Sequence, residues 1–156
     1  MNSCGSLVKN KAENYVTVEK GAIPENFGAG NTTMLFILKS KKSYDKYLIS
    51  NIEEAYHGNY ELITNQELLS AKYQNLEEYP YYLDFNLKTY QSYSSNSTIH
   101  GPGGGFTTSS LRQFYIKDRR LEKEYKMKMT SGYWSKLQRV YIENLEAERL
   151  KNTSEF

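Results

Sequence analysis

The stretch NTTMLFILKSKKSYDKYLISNIEEAYHGNYELIT, residues 31–64, decides the fold because three hydrophobic patterns follow one another in it. A continuous apolar run between polar residues predicts a central strand at residues 33–39, covered on both faces. The next residues predict an amphipathic helix, with Ser43 as a candidate N-cap and Gly58 as its stop. Its apolar positions are Tyr44, Leu48, Ile52 and Ala55. A second strand at residues 60–64 completes a βαβ unit, whose crossover is nearly always right-handed.

The rest of the chain predicts the remaining elements. A short helix follows Asn65, and from Tyr81 onward apolar and polar residues alternate with the period of a strand. Two further strands, LRQFYIKD and LEKEYKMKM, form a predicted hairpin, and the closing helix has an apolar stripe at Trp134, Leu137, Tyr141 and Leu145. The predicted fold class is α+β (mixed α/β), a single sheet of about five strands with two main helices packed on it, in the order β-α-β-(short α)-β-β-β-α. We expect one domain at residues 31–152, preceded by a flexible N-terminal tether at residues 1–30.

Composition argues against several classes of function. The chain has 20 basic and 18 acidic residues and a formal net charge of +2, too weak a field to indicate nucleic acid as a partner. Only three aspartates and two histidines are present. Because catalytic and metal-ligating groups are so few, the sequence predicts no enzyme activity, no cofactor and no bound metal. The single cysteine excludes an internal disulfide, and the longest apolar run, MLFIL, is too short to span a bilayer.

The stretch STIHGPGGGFTTSS, residues 97–110, is rich in glycine. It lacks the lysine of a phosphate-binding P-loop, and its glycine spacing does not fit a dinucleotide fold. An esterase oxyanion loop would need a G-x-S-x-G nucleophile motif, which the chain does not contain. The stretch belongs to a predicted Gly/Ser loop at residues 92–110, and loops of that length are usually functional or disordered. The sequence leaves open a spacer and a partner-binding loop that would present Phe106 and His100.

The chain opens with MNSCGS, so Cys4 follows a small residue and precedes a polar segment of about 20 residues. This arrangement resembles a bacterial lipoprotein cut just upstream of its lipobox. The resemblance implies that Cys4 receives the lipid and that a polar tether leads to the folded domain. The alternative is that Cys4 is an unpaired thiol on a flexible terminus.

Five segments carry a wider resemblance: TTMLFILKS, YDKYLISNIEEAY, YELITNQEL, YPYYLDFNLKTYQ and LRQFYIKDRRLEKEYKMKM. Their order resembles the small periplasmic α/β modules of the curli secretion channel lipoprotein, the amino-terminal domain of TolB and the lipoprotein activators of penicillin-binding proteins. The resemblance implies a bacterial cell-envelope location on the periplasmic side of a membrane, a lipid anchor at Cys4, and a role in binding other envelope proteins. It transfers no catalytic residue.

Two functional interpretations follow from these observations. The first is a non-catalytic envelope lipoprotein that holds another envelope protein through a sheet edge or the Gly-rich loop. The second is a small-ligand or glycan-binding module, in which Tyr82, Tyr90 and Phe106 would stack on a sugar or an apolar ligand. An RNA-binding sheet is disfavoured because RQFYIKD lacks the aromatic signature of RNA-recognition domains. The sequence favours the protein-binding interpretation, with the ligand-binding module as its alternative.

Overall fold

The computed structural model describes residues 4–95 and 103–154. The helices in these ranges are α1 (Cys4–Tyr15), α2 (Lys42–Ala55) and α3 (Trp134–Thr153). The strands are β1 (Met34–Leu38), β2 (Tyr60–Thr64), β3 (Tyr81–Ser94), β4 (Gly105–Asp118) and β5 (Lys123–Lys126). Two short 3-10 turns, Glu67–Leu69 and Ala71–Gln74, lie between β2 and β3.

The strands form one mixed sheet in the order β2-β1-β3-β4-β5. β1 runs parallel to both of its neighbours, so that Met34 lies beside Tyr60 on one side and Tyr81 on the other. β3 and β4 are antiparallel along their whole length, with Ser94 opposite Gly105 at the far end. β5 pairs antiparallel with the end of β4. The α+β fold class, with one sheet and two main helices, is confirmed.

The helices enclose the larger core on one face of the sheet. α2 and α3 pack against each other, and α1 packs on α3. The buried residues that the strands contribute are Met34, Phe36, Tyr81, Leu83, Phe114 and Ile116. In α3, Leu137, Tyr141 and Leu145 are fully buried, as their helical spacing predicts. Trp134, at the first turn of α3, is only partly buried.

The opposite face of the sheet carries a smaller core, covered by Tyr73 and Tyr79 from the segment between β2 and β3. Its aliphatic members are Leu35, Ile37 and Ile63. Glu61 holds this cover in place, because Tyr73 Oη and Tyr79 Oη donate to its carboxylate over 2.7 and 3.1 Å. Lys72 Nζ donates to the same carboxylate over 2.6 Å. These hydrogen bonds, the one from Lys72 foremost, lower the pKa of Glu61.

The prediction of a flexible tether at residues 1–30 is wrong for the part that the structure describes. α1 is docked on α3, and Asn144 Nδ2 donates to the carbonyl of Val16 over 2.7 Å. The buried hydrophobic residues of this segment are Ala12, Val16, Ala22, Ile23 and Phe27. The physical reason is the four-residue spacing of Val8, Ala12 and Val16, a narrow apolar stripe that is stabilised by packing against α3. The folded domain therefore includes residues that the sequence analysis assigned to the tether.

The predicted loop at residues 92–110 is also largely wrong, because β3 continues to Ser94 and β4 begins at Gly105. Neither face of this part of the sheet is covered, so the sequence shows no apolar alternation. Threonine and tyrosine nevertheless favour extended backbone, and continuous pairing defines the strands. His100 lies outside the described residues.

Candidate interaction site on the β3–β4 arm

β3 and β4 extend beyond the elements that flank them and form a two-stranded projection, residues 87–94 and 105–111, called the arm below. By register β1 ends level with Phe85, because Phe36 pairs with Leu83. All of residues 87–94 and 106–110 are exposed. The part of the two strands around Phe85 and Arg112, where the arm begins, is called its root. At about 3.3 Å per residue the arm reaches roughly 25 Å beyond this root.

The arm presents aromatic rings on both faces. Tyr93 and Phe106 are cross-strand partners on the face that continues the helix-covered side, with ring centroids 5.1 Å apart. Phe106 is 70 % exposed and Tyr93 is 58 % exposed. Tyr90, on the opposite face, is 51 % exposed. Gly104, at φ +77°, closes the described end of the ladder, where a Cβ would strike the Ser94 carbonyl oxygen.

Both outer edges of the arm are open within the described ranges. β3 pairs with β1 only as far as Leu83, and the last contact on the outer edge of β4 is the bridge between Arg112 and Ser131. Edge strands in natural proteins are usually protected by charges, proline or bulges. The arm contains one charged residue, Lys88. The backbone N–H and C=O groups that face outward from the two strands are therefore available to pair with an added strand.

The root of the arm contains an arginine held among aromatic rings. The Arg112 guanidinium carbon lies 4.4 Å from the centroid of Trp134, 5.1 Å from Phe85 and 5.6 Å from Tyr44. Arg112 Nε is buried and has no hydrogen-bond partner in the described part of the chain. Burial lowers the pKa of Arg112, because desolvation disfavours its charged form.

The structure separates the residues that the sequence proposes for binding. Phe106 and Tyr90 lie on the arm, although on opposite faces. Tyr82 is partly buried at the edge of the smaller core and packs edge-on against Tyr115, so only part of it can meet a ligand. Tyr82 and Tyr90 therefore do not form one exposed surface on which a sugar or an apolar ligand could stack. Cys4 is the first residue of α1.

Sequence reasoning missed Tyr93 and Arg112. Only the strand geometry places Tyr93 on the same face as Leu87, six positions earlier, because the intervening positions on that face, Thr89 and Gln91, are polar. No pattern in the sequence reveals the surroundings of Arg112, because its three rings come from β3, α2 and α3.

Two further results concern other kinds of site. Within residues 4–95 and 103–154, no group of three histidine, cysteine, aspartate or glutamate residues is arranged to hold a metal ion. In the same ranges, no helix is both long enough and apolar enough to cross a lipid bilayer.

Comparison with protein-family models gives no match, and comparison with curated proteins and with solved structures gives no significant one.

Proposed function

We propose that this protein is a non-catalytic lipoprotein of the bacterial cell envelope that holds another envelope protein through the arm. The observation that carries the proposal is an uncovered two-stranded projection with three exposed aromatic rings and two open edges. Such a projection buries little apolar surface, so its exposed aromatic rings are best explained by contact with another molecule.

The composition of the arm supports a protein partner. Tyrosine, serine, threonine and glycine make up most of it. Tyrosine offers a large, rigid contact area at low entropic cost, and small hydroxyl side chains adapt their hydrogen bonds to a partner, as in antibody paratopes. An open edge adds main-chain hydrogen bonds when an extended segment pairs with it. The arm therefore combines two established ways of recognising a protein.

The position of the proposed anchor supports the same function. Gly5, directly after Cys4, lies against the side chain of Lys136 in the first turn of α3. Trp134, in that same turn, contacts Arg112 at the root of the arm. With a lipid on Cys4, the anchor and the root of the arm would lie at the same end of the domain. Because α1 is packed on α3, no long flexible segment would separate them. The arm would thus act close to the membrane surface.

The experiment that tests the arm replaces its exposed pair of rings in the full-length lipoprotein. Tyr93→Ser with Phe106→Ser should leave the fold intact and remove the partner that the unaltered protein captures after crosslinking in cells of the organism that encodes it. Leu69→Ser with Leu150→Ser is the matched control, because both leucines are exposed and lie outside the arm. Equal recovery of the partner by the arm variant would reject the arm as the binding element.

The anchor is tested separately. A precursor that carries a signal peptide should incorporate palmitate in a bacterial host and partition into detergent. Cys4→Ala should abolish both results. Labelling that persists in the variant would reject Cys4 as the acylation site and leave the function of the arm untouched.

A further inference from the structure

Arg112 differs from every other arginine of the chain in its partners. Arg139 pairs with Glu54 and Glu143, Arg149 with Glu146, and Arg120 with Asp118. Arg119 donates to the carbonyls of Tyr73 and Tyr79. Arg112 makes no ion pair or hydrogen bond to any described side chain, and its Nε is buried. A partly desolvated cation without an anionic partner is costly, so an arrangement of this kind needs an explanation.

The surroundings of Arg112 fix its position without satisfying its donors. The rings of Trp134, Phe85 and Tyr44 attract the cation through their faces. A guanidinium directs its N–H groups outward in its own plane, where a ring face offers no lone pair. The rings therefore hold the guanidinium in place, and because its Nε–H is buried, the terminal Nη groups are the donors left for an acceptor from outside the domain.

From this geometry we infer that Arg112 is a carboxylate-binding subsite at the root of the arm, which receives an acidic side chain or the terminal carboxylate of the bound partner. The inference rests on the proposed function, because it names the chemistry of the segment that the arm would hold.

The place of Arg112 in the sheet supports this chemistry. The outer edge of β4 is open along residues 105–111, and the bridge between Arg112 and Ser131 closes it. A strand added along this edge must stop at the bridge, so one of its ends comes next to the guanidinium: the carboxyl-terminal end if the strand is parallel to β4, and the amino-terminal end if it is antiparallel. A carboxylate matches the planar fork with two parallel hydrogen bonds, and a protein partner provides that group at its terminus or on aspartate and glutamate.

The test uses the purified chain and the fluorescence of Trp134, which is the only tryptophan and directly contacts Arg112. Three tripeptides, each blocked at its amino terminus, are titrated at constant ionic strength. One has a free terminal carboxylate, one has an amidated terminus and a central aspartate, and one has neither group. At least one of the two acidic peptides should give a saturable change in emission, and the one that binds more tightly identifies the source of the carboxylate. The neutral peptide should bind at least tenfold more weakly.

Matched variants separate this subsite from a general effect of charge. Arg112→Gln should weaken binding of the acidic peptide at least tenfold, and Arg112→Lys should weaken it by a smaller factor because it keeps the charge without the fork. Arg120→Gln should leave it unchanged, since Arg120 also stacks on a ring but already has Asp118 as a partner. Three results would overturn the inference: no saturable response, equal response in Arg112→Gln that remains folded by circular dichroism, or tighter binding of inorganic phosphate than of either acidic peptide. None of them would change the outcome of the crosslinking test with Tyr93 and Phe106.

Discussion

The two halves of the β3–β4 hairpin share one continuous ladder but differ in what covers them. Phe114 lies in the half under the helices and is fully buried. Phe106, eight residues earlier on the same face of the same strand, is 70 % exposed. The difference shows that hydrogen-bonded pairing between β3 and β4 is enough to extend the strands beyond the core. Burial of side chains in the half under the helices stabilises the domain. The arm therefore contributes no buried residue to the core.

The largest contrast should come from truncating these two phenylalanines. Phe114→Ala removes a fully buried ring and should cost about 3–5 kcal/mol in the free energy of unfolding. Phe106→Ala removes only a cross-strand pair with Tyr93 and should cost less than about 1 kcal/mol. Urea denaturation of both variants measures the difference. Similar losses would mean that the arm is part of the cooperative core.

A second contrast compares two arginines. Arg149 donates two hydrogen bonds to the buried carboxylate of Glu146. Arg149→Met leaves that carboxylate without a partner and should lower the free energy of unfolding by about 2–3 kcal/mol. Arg112→Met should change stability by less than about 1 kcal/mol, since the lost attraction to the rings is offset by removal of a desolvated charge. Thermal denaturation of the two variants side by side makes the comparison. A larger loss for Arg112→Met would assign that residue a structural role.

Shortening the arm should have a smaller effect on stability. Residues 91–108 can be replaced by Asn-Gly, because Tyr90 and Ser109 lie directly opposite each other and a two-residue turn can join them. The melting temperature should change by no more than about 5 °C, as none of the side chains that the structure describes in this stretch, residues 91–95 and 103–108, is buried. An unfolded product would show that the arm is required by the fold.

The smallest effect concerns the opposite face of the sheet, where the Glu61 network holds Tyr73 and Tyr79 over the smaller core. Because hydrogen bonds lower the pKa of Glu61 in the folded state, its contribution to stability is present above its unfolded pKa of about 4.3 and is lost as the pH falls through the folded value. The stability difference between wild type and Glu61→Gln should therefore be largest near neutral pH and shrink below about pH 4. Glu53→Gln serves as the control on an exposed helix position. A difference that is constant with pH would contradict the assigned hydrogen bonds.

The sequence predicted the elements whose patterns are continuous. The strand expected at residues 33–39 is observed at Met34–Leu38, and the strand at residues 60–64 is observed as predicted. α2 is also present, although it begins at Lys42 and Ser43 does not cap it. These elements were predictable because a buried central strand and an amphipathic helix each have a local hydrophobic signature.

The remaining features depend on contacts between distant parts of the chain. α1 is stabilised by α3, which the spacing of Val8, Ala12 and Val16 does not reveal by itself. The arm has no buried face, so hydrophobic periodicity could not detect it. The placement of Arg112 depends on where β3, α2 and α3 meet, and a sequence pattern within one element does not contain that information.

Site-specific photocrosslinking tests the central claim, that the arm is the binding element, most directly. A photoreactive residue is placed at Ser92 or Thr108, on opposite faces of the arm, or at Glu53 on the exposed side of α2, in cells of the organism that encodes the chain. We expect one discrete adduct of constant mass from at least one arm position and none of that mass from position 53. The absence of an adduct from both arm positions, or the same adduct from position 53, would contradict the claim.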